Sequence, residues 1–207
     1  MVLLAHNLSQ EDINYCNPGG CLSGKLVDLY SDFVTRCLSQ TGDFKIIKRS
    51  VSDDLKSIET AEQHRHELEN FKFLLVPVSD SDGPNGVTRS WSLLTVEIQD
   101  NQLAILHYDS RRRGHSELAN KIGETISVLL QKDLKINQTE ENKNSVLSGF
   151  CPKTENVSDS GIYVLCIMEI LAKMKSGISC KSLSSILAKH IKKFRNSLSK
   201  SLNVKNI

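Results

Sequence analysis

The segment that most constrains the fold is an apolar stretch near the C-terminal end of the chain. Residues Gly161 to Ala172 read GIYVLCIMEILA and contain a single charged residue, Glu169. A helix that is apolar on nearly all sides has to be enclosed by other elements. The stretch is shorter than the roughly 18 residues that a membrane-spanning helix needs. The sequence therefore predicts a central, buried helix over about Ser160 to Lys173.

The elements that enclose this helix are predicted from the spacing of apolar residues. Strands with short apolar runs are predicted in the middle of the chain, over Phe71–Val78, Trp91–Ile98 and Leu103–Tyr108, the last two joined as a hairpin. Helical periodicity predicts further helices over about Leu22–Leu38, from Ser52 onward, Ser116–Leu130 and Ser182–Leu198. A polar loop or frayed strand is expected over Lys135–Asn144. Without repeats or a linker, residues 1–207 are expected to form one α+β domain.

Two of these helices carry more specific expectations. Ser52 is expected to cap the second helix, with Asp53 and Asp54 at its positive end. Arg195 is expected on the exposed outer face of the last helix, which also carries several lysines.

Charge and cysteine content narrow the function classes. A net charge of +2 gives no reason to expect binding to nucleic acid or to an anionic membrane. The opening MVLLAHNLSQ lacks the pattern of a signal peptide, so a cytoplasmic or nuclear protein is expected. Cys16 and Cys21 form a conceivable metal half-site, but no second pair at ligand spacing accompanies them. Reduced thiols, without metal or cofactor, are expected.

The residues Asp159-Ser160-Gly161, where the buried helix begins, suggest a catalytic site. A hydroxyl at the positive end of a helix could act as a nucleophile, with backbone N–H groups holding an oxyanion. The same residues could simply cap the helix. Local sequence favours the cap, because no histidine stands in a context that would make it the base.

Three segments together resemble the sentrin-specific proteases of ubiquitin-like modifiers, and most closely the deneddylase members. The segments are Trp91-Ser92-Leu93-Leu94, His107-Tyr108-Asp109-Ser110, and the helix start with Asp159, Gly161 and Tyr163-Val164. The family carries a His-Trp-Ser-Leu-Leu strand, a His-Tyr-Asp-Ser strand end and a Gln-x5-Cys-Gly helix start in this order. The resemblance implies a papain-like α+β fold with a central mixed or antiparallel sheet flanked by helices.

The resemblance also locates four catalytic positions, of which the chain keeps one. Ser90 stands at the family's histidine, Ser160 at its nucleophilic cysteine and Thr154 at its oxyanion-donating glutamine; only Asp109 is retained. A one-residue gap would place Glu155 at the glutamine position, where its charge would repel an oxyanion.

These replacements remove the parts that hydrolysis needs. A serine hydroxyl needs an adjacent base, and Ser90 does not accept a proton near neutral pH. Loss of an oxyanion donor alone costs about 10²–10³ in rate. The sequence therefore predicts an inactive pseudoprotease. The alternative is a residual or altered hydrolase with Ser160 as nucleophile, for which His115 could swing in as base; His107 is expected to be a packing residue.

Substrate contacts are implied by the same resemblance. Family members thread the modifier's Gly-Gly tail through a tunnel closed by two tryptophans, of which Trp91 matches one. Cys21-Leu22-Ser23-Gly24 stands where the family has Trp-Leu-Asn-Asp, which predicts a wider passage lined by Trp91, Cys21, Leu22, Asp159 and Gly161. A modifier of neddylation or SUMO type is the implied partner, bound by a monomer through its outer face.

The basic run Arg111-Arg112-Arg113 has two interpretations. It could form a site for an acidic partner, or it could be a solvated turn before the next helix.

Overall fold

The computed structural model of the protein describes residues 8–17, 19–38, 44–80, 90–99, 102–111, 114–134, 146–154, 156–175, 191 and 193–200. Several sequence predictions fall outside these ranges: most of the loop after Asp80, the polar stretch 135–144, the first part of the last helix, and the residues Arg112, Arg113 and Glu155.

A five-stranded mixed sheet, in the order β1-β2-β3-β4-β5, forms the centre of the described part of the chain. The outer pairs β1–β2 and β4–β5 are parallel, and the inner pairs β2–β3 and β3–β4 are antiparallel. The strands are β1 (Phe44–Ile46), β2 (Phe73–Ser79), β3 (Trp91–Gln99), β4 (Gln102–Tyr108) and β5 (Leu147–Ser148). The predicted α+β fold with a central mixed sheet is confirmed, and so is the β3–β4 hairpin, in which Gln99 pairs with Gln102.

Helices cover both faces of the sheet. They are α1 (Gln10–Asn14), α2 (Gly24–Leu38), α3 (Arg49–Asp54), α4 (Ile58–Ala61), α5 (Arg65–Glu69), α6 (Ser116–Leu134) and α7 (Ser160–Lys175), and residues 193–200 are also helical. Short 3₁₀ turns at Glu62–His64 and Val157–Asp159 precede α5 and α7. None of the helices within the described ranges combines the length and apolarity that crossing a bilayer requires.

Two apolar cores lie on opposite faces of the sheet, because successive side chains of a strand point to opposite sides. Leu93 of β3 belongs to the core that α2 and α7 close. Its neighbour Leu94 belongs to the core on the α6 side. Covered on both faces, β2 is buried along its whole length. The predicted burial of α7 is confirmed: eleven of its residues are buried.

The predicted helix after Ser52 is wrong in its start and in its continuity. The chain forms three short helices there, and Ser52 lies inside α3 rather than at its cap. The residue is buried against the sheet, where its hydroxyl donates to the Pro77 carbonyl oxygen at 2.6 Å. This bond to β2 takes the place of the capping role.

Substitution Ser52→Ala should lower the free energy of unfolding by about 2 kcal/mol, because it leaves the Pro77 carbonyl without this donor. Urea denaturation followed by circular dichroism measures the change. Ser57→Ala is the matched control: its exposed hydroxyl bonds to the Glu59 side chain, so the loss should stay within about 0.5 kcal/mol. Equal losses in the two variants would contradict the assigned bond.

Candidate functional site

The three segments singled out in the sequence meet where β3 begins. Ser160 is the first residue of α7 and Trp91 the first residue of β3. The backbone N–H of Trp91 donates to Ser160 Oγ at 3.0 Å. Ser160, Ser90 and Trp91 are therefore brought together, as the match of the motifs to the family predicts.

The Ser160 hydroxyl is occupied by backbone partners. It accepts from the Trp91 N–H and donates its own proton to the Val157 carbonyl oxygen at 2.8 Å. The residue is only 1% exposed. In this arrangement the hydroxyl joins the start of α7 to β3, and its proton points at a carbonyl rather than at a base.

The Ser90 side chain is held by a carboxylate. Its Oγ donates to Asp80 Oδ2 at 2.8 Å, while its backbone N–H donates to Asp80 Oδ1 at 2.7 Å. Ser90 is fully buried. In the family that the sequence resembles, position 90 holds a histidine. Here Ser90 is bonded to Asp80 instead.

An imidazole nevertheless lies beside this pair. His115 is buried, with Nε2 at 2.8 Å from Ser90 Oγ and Nδ1 at 3.0 Å from Ser92 Oγ. Because Ser90 gives its proton to Asp80, the Nε2–H of His115 donates to Ser90 and Nδ1 accepts from Ser92. Burial lowers the pKa of His115 below its ordinary value, which favours the neutral ring. Both ring nitrogens thus bond to serine hydroxyls, one from Ser90 just before β3 and one from Ser92 within it, while the Ser160 hydroxyl bonds to the backbone.

The retained Asp109 bonds to backbone groups. Its Oδ1 accepts from the Arg111 N–H at 2.8 Å, and its Oδ2 lies 3.4 Å from the His115 backbone nitrogen. An aspartate that accepts from the N–H two residues later stabilises a turn. In this position Asp109 shapes the connection from β4 to α6.

Thr154 forms a local turn of the same kind. Its Oγ1 donates to the Asn156 carbonyl oxygen at 2.7 Å and accepts from the Asn156 N–H at 3.1 Å. Its backbone N–H donates to the Ser110 carbonyl oxygen at 3.0 Å. The threonine hydroxyl is therefore engaged within its own loop.

Trp91, expected to line a wider passage, packs closely against Leu22 and Gly161. Trp91 and Leu22 are both buried, and the indole Nε1–H donates to the Leu22 carbonyl oxygen at 2.9 Å. A Cβ added at Gly161 would lie 3.0 Å from atoms of both side chains. Leu22 and the Trp91 indole therefore pack against each other at the start of α7.

Asp159 forms an ion pair that the sequence did not reveal. Arg195, expected on an exposed face, is 5% exposed, and its Nη2 donates to Asp159 Oδ1 at 2.6 Å and to the Ser158 carbonyl oxygen at 3.0 Å. Its Nη1 donates to the Asn17 carbonyl oxygen. One guanidinium therefore ties the C-terminal helical segment to the start of α7 and to the segment after α1. Arginine is suited to this task because its fork presents several donors in one plane.

His107 is buried on β4, as expected of a packing residue. Its Nε2 finds no hydrogen-bond partner within the described part of the chain. Burial lowers its pKa to about 4.

Cys16 of the conceivable metal half-site is also buried, and burial raises the pKa of its thiol to about 12. Across the ranges that the structure describes, no three His, Cys, Asp or Glu side chains are grouped as a metal ion would require.

Comparison with known proteins identifies the family. Residues 22–205 match the sequence model of the Ulp1 protease family, C-terminal catalytic domain, and the chain belongs to this family. No curated protein sequence matches the chain.

Solved structures share its fold at low sequence identity. A structure described as a de-sumoylating protease matches with a TM-score of 0.67 and 16% identity, over 94% of this chain and 83% of the other. The C-terminal Ulp1 protease domain, solved in complex with Smt3, the yeast ortholog of SUMO, matches with a TM-score of 0.61 and 13% identity, over 93% and 81%. The catalytic domain of the Ulp1-like SUMO protease of Chaetomium thermophilum matches with a TM-score of 0.56 and 13% identity, over 91% and 74%.

Substitution Arg195→Gln should lower the free energy of unfolding by about 3 kcal/mol, because it leaves the Asp159 carboxylate and several carbonyl oxygens without their donor. Arg36→Gln, at an exposed position of α2, removes the same charge and should change stability by less than about 0.5 kcal/mol. Chemical denaturation of both variants measures the difference. Similar values for the two would contradict the structural role of Arg195.

Stability should fall as the pH is lowered from 6.5 to about 4. The folded-state pKa of His107 lies below its unfolded value of 6.5, so the unfolded chain binds more protons in this window. The loss from this group should reach about 3 kcal/mol and be complete below pH 4. Urea denaturation at a series of pH values measures it. In His107→Gln the fall over this window should be smaller by that amount, and an unchanged fall would contradict the assignment.

Proposed function

We propose that this chain is a catalytically inactive member of the Ulp1 protease family that acts by binding a ubiquitin-like modifier or a protein conjugated to one. The observation that carries the proposal is the Ser160 hydroxyl, which is buried and bonded in both directions to backbone groups. A serine is a useful nucleophile only when a base takes its proton. Here the Ser160 hydroxyl donates its proton in a hydrogen bond to the Val157 carbonyl oxygen, which is not a base at neutral pH.

The other three catalytic positions support the same conclusion. The Ser90 hydroxyl donates to Asp80, Asp109 accepts from backbone N–H groups, and Thr154 bonds within its own loop. Each group has acquired a structural partner in place of a catalytic one. A site whose polar atoms are mutually bonded resists rearrangement, because each bond that opens leaves a buried group unpaired.

Binding is proposed to use the outer surface of the domain rather than a grip on the modifier's tail. The closed contact among Trp91, Leu22 and Gly161 supports this mode, since it leaves little room for a peptide beside the indole. The Ulp1 domain in complex with Smt3 makes a SUMO-type modifier the first candidate. The deneddylase-like motifs make the neddylation modifier the second.

Calorimetric titration with mature SUMO, the neddylation modifier and ubiquitin tests this proposal. One modifier should bind with micromolar affinity and, for a monomeric receptor, with one-to-one stoichiometry. The same modifier shortened to remove its Gly-Gly tail should bind within about twofold of the mature form, because the tail contributes few contacts. No binding by any of the three would sink the receptor proposal, and a large loss on shortening would contradict the outer-surface mode.

A residual hydrolase is the second candidate, and the position of His115 is the observation that favours it. The His115 imidazole lies 2.8 Å from the Ser90 hydroxyl. Ser90 directly precedes Trp91, whose backbone N–H bonds to Ser160. Cleavage of modifier fused through its tail to a reporter should nevertheless be undetectable. If cleavage occurs and disappears in both Ser160→Ala and His115→Gln, the hydrolase replaces the pseudoprotease as the function.

A further inference from the structure

A small pocket lies beside the former catalytic site and is not used by the proposed function. Its volume is about 190 Å³, and it is lined by Ser110, Arg111, Lys153, Thr154 and Val157. Two of these five residues are cationic and none is acidic. Within the ranges that the structure describes, neither the Arg111 guanidinium nor the Lys153 ammonium forms an ion pair.

The Ser110 hydroxyl is the feature that points to a ligand. The residue is 3% exposed, and its Oγ has no hydrogen-bond partner among the described residues. A buried hydroxyl without a hydrogen-bond partner destabilises the folded state, because its hydrogen bonds to water are lost on folding and not replaced. A ligand with acceptor oxygens in this pocket would supply the missing partner.

The walls of the pocket are fixed by hydrogen bonds that do not use its free donors. The Thr154 N–H donates to the Ser110 carbonyl oxygen at 3.0 Å, which joins the two sides. The Arg111 N–H donates to Asp109 at 2.8 Å, which sets the turn and directs one carboxylate oxygen to the backbone. The side chains of Arg111, Lys153 and Ser110 remain as donors.

We propose that this pocket binds the carboxylate of an acidic side chain in a polypeptide partner. A guanidinium fork matches the two oxygens of a carboxylate, and an ammonium and a hydroxyl add single donors. The lining residue Val157 is exposed and offers apolar contact to a residue next to the acidic one, which a free anion would not use. This inference goes beyond modifier binding and does not require it.

Fluorescence anisotropy with two labelled peptides tests the proposal on the full chain. One peptide carries valines next to two glutamates, and the other replaces both glutamates by glutamine. The glutamate peptide should bind at least tenfold more tightly, and its affinity should fall as sodium chloride is raised from 50 to about 300 mM. Equal affinity for the two peptides, or no binding by the glutamate peptide at 50 mM salt, would overturn the proposal. Inorganic phosphate that displaces the peptide at equal concentration would also overturn it, by assigning the pocket to free anions.

Variants locate the binding in this pocket. Arg111→Gln and Lys153→Gln should each weaken binding of the glutamate peptide by about tenfold. Lys121→Gln, at an exposed position of α6, removes the same charge and should change binding by less than about twofold. Equal losses in all three would mean that net charge alone attracts the peptide.

Ser110→Ala separates a binding role from a structural one. It should weaken the peptide by about fivefold while leaving the midpoint of thermal unfolding unchanged or higher, because it removes a buried hydroxyl that has no partner in the free protein. Unchanged peptide binding in this variant would show that the Ser110 hydroxyl does not bind the peptide. These results do not depend on the modifier titrations, so either proposal can fail while the other stands.

Discussion

The hydrogen bond from the Trp91 N–H to the Ser160 hydroxyl fixes the relation between the sheet and the helix that the rest of the fold encloses. The first residue of β3 is joined by this bond to the first residue of α7. Immediately beside it, Gly161 allows Leu22 and the Trp91 indole to approach the helix closely. The core formed by α2, α7 and the sheet depends on this junction, and the polar groups of the candidate site surround it.

The remaining polar groups form a connected network. Asp80, Ser90, His115 and Ser92 are linked by successive hydrogen bonds along the start of β3. Low polarity inside the protein strengthens such bonds and makes their loss expensive. Ser90, which stands at the position of the family's histidine, is therefore part of a network that holds this domain together. Asp109 stabilises the neighbouring turn through its bonds to the backbone N–H groups of Arg111 and His115.

The sequence predicted those helices and strands whose apolar pattern lies in consecutive residues. The apolar run of α7 and the strands β3 and β4 could be located because burial is recorded in consecutive residues, and the family motifs then placed Ser90, Trp91 and Ser160 together. The strands β1 and β5 were missed because three and two residues carry too little periodicity. Arg195 and Ser52 were misassigned because their partners lie far away in the chain, at Asp159 and Pro77. The sequence named His115 only as a residue that could swing in as base under the hydrolase alternative. Its bonds to Ser90 and Ser92 could not be predicted, because they depend on tertiary packing.

The Ser160 hydroxyl, which makes two hydrogen bonds, also bears on which residues can occupy position 160. A cysteine sulfur is a weak hydrogen-bond acceptor and donor compared with a hydroxyl oxygen. Substitution Ser160→Cys would therefore weaken the junction between β3 and α7. The fold itself therefore favours a serine at this position, independently of any role in catalysis.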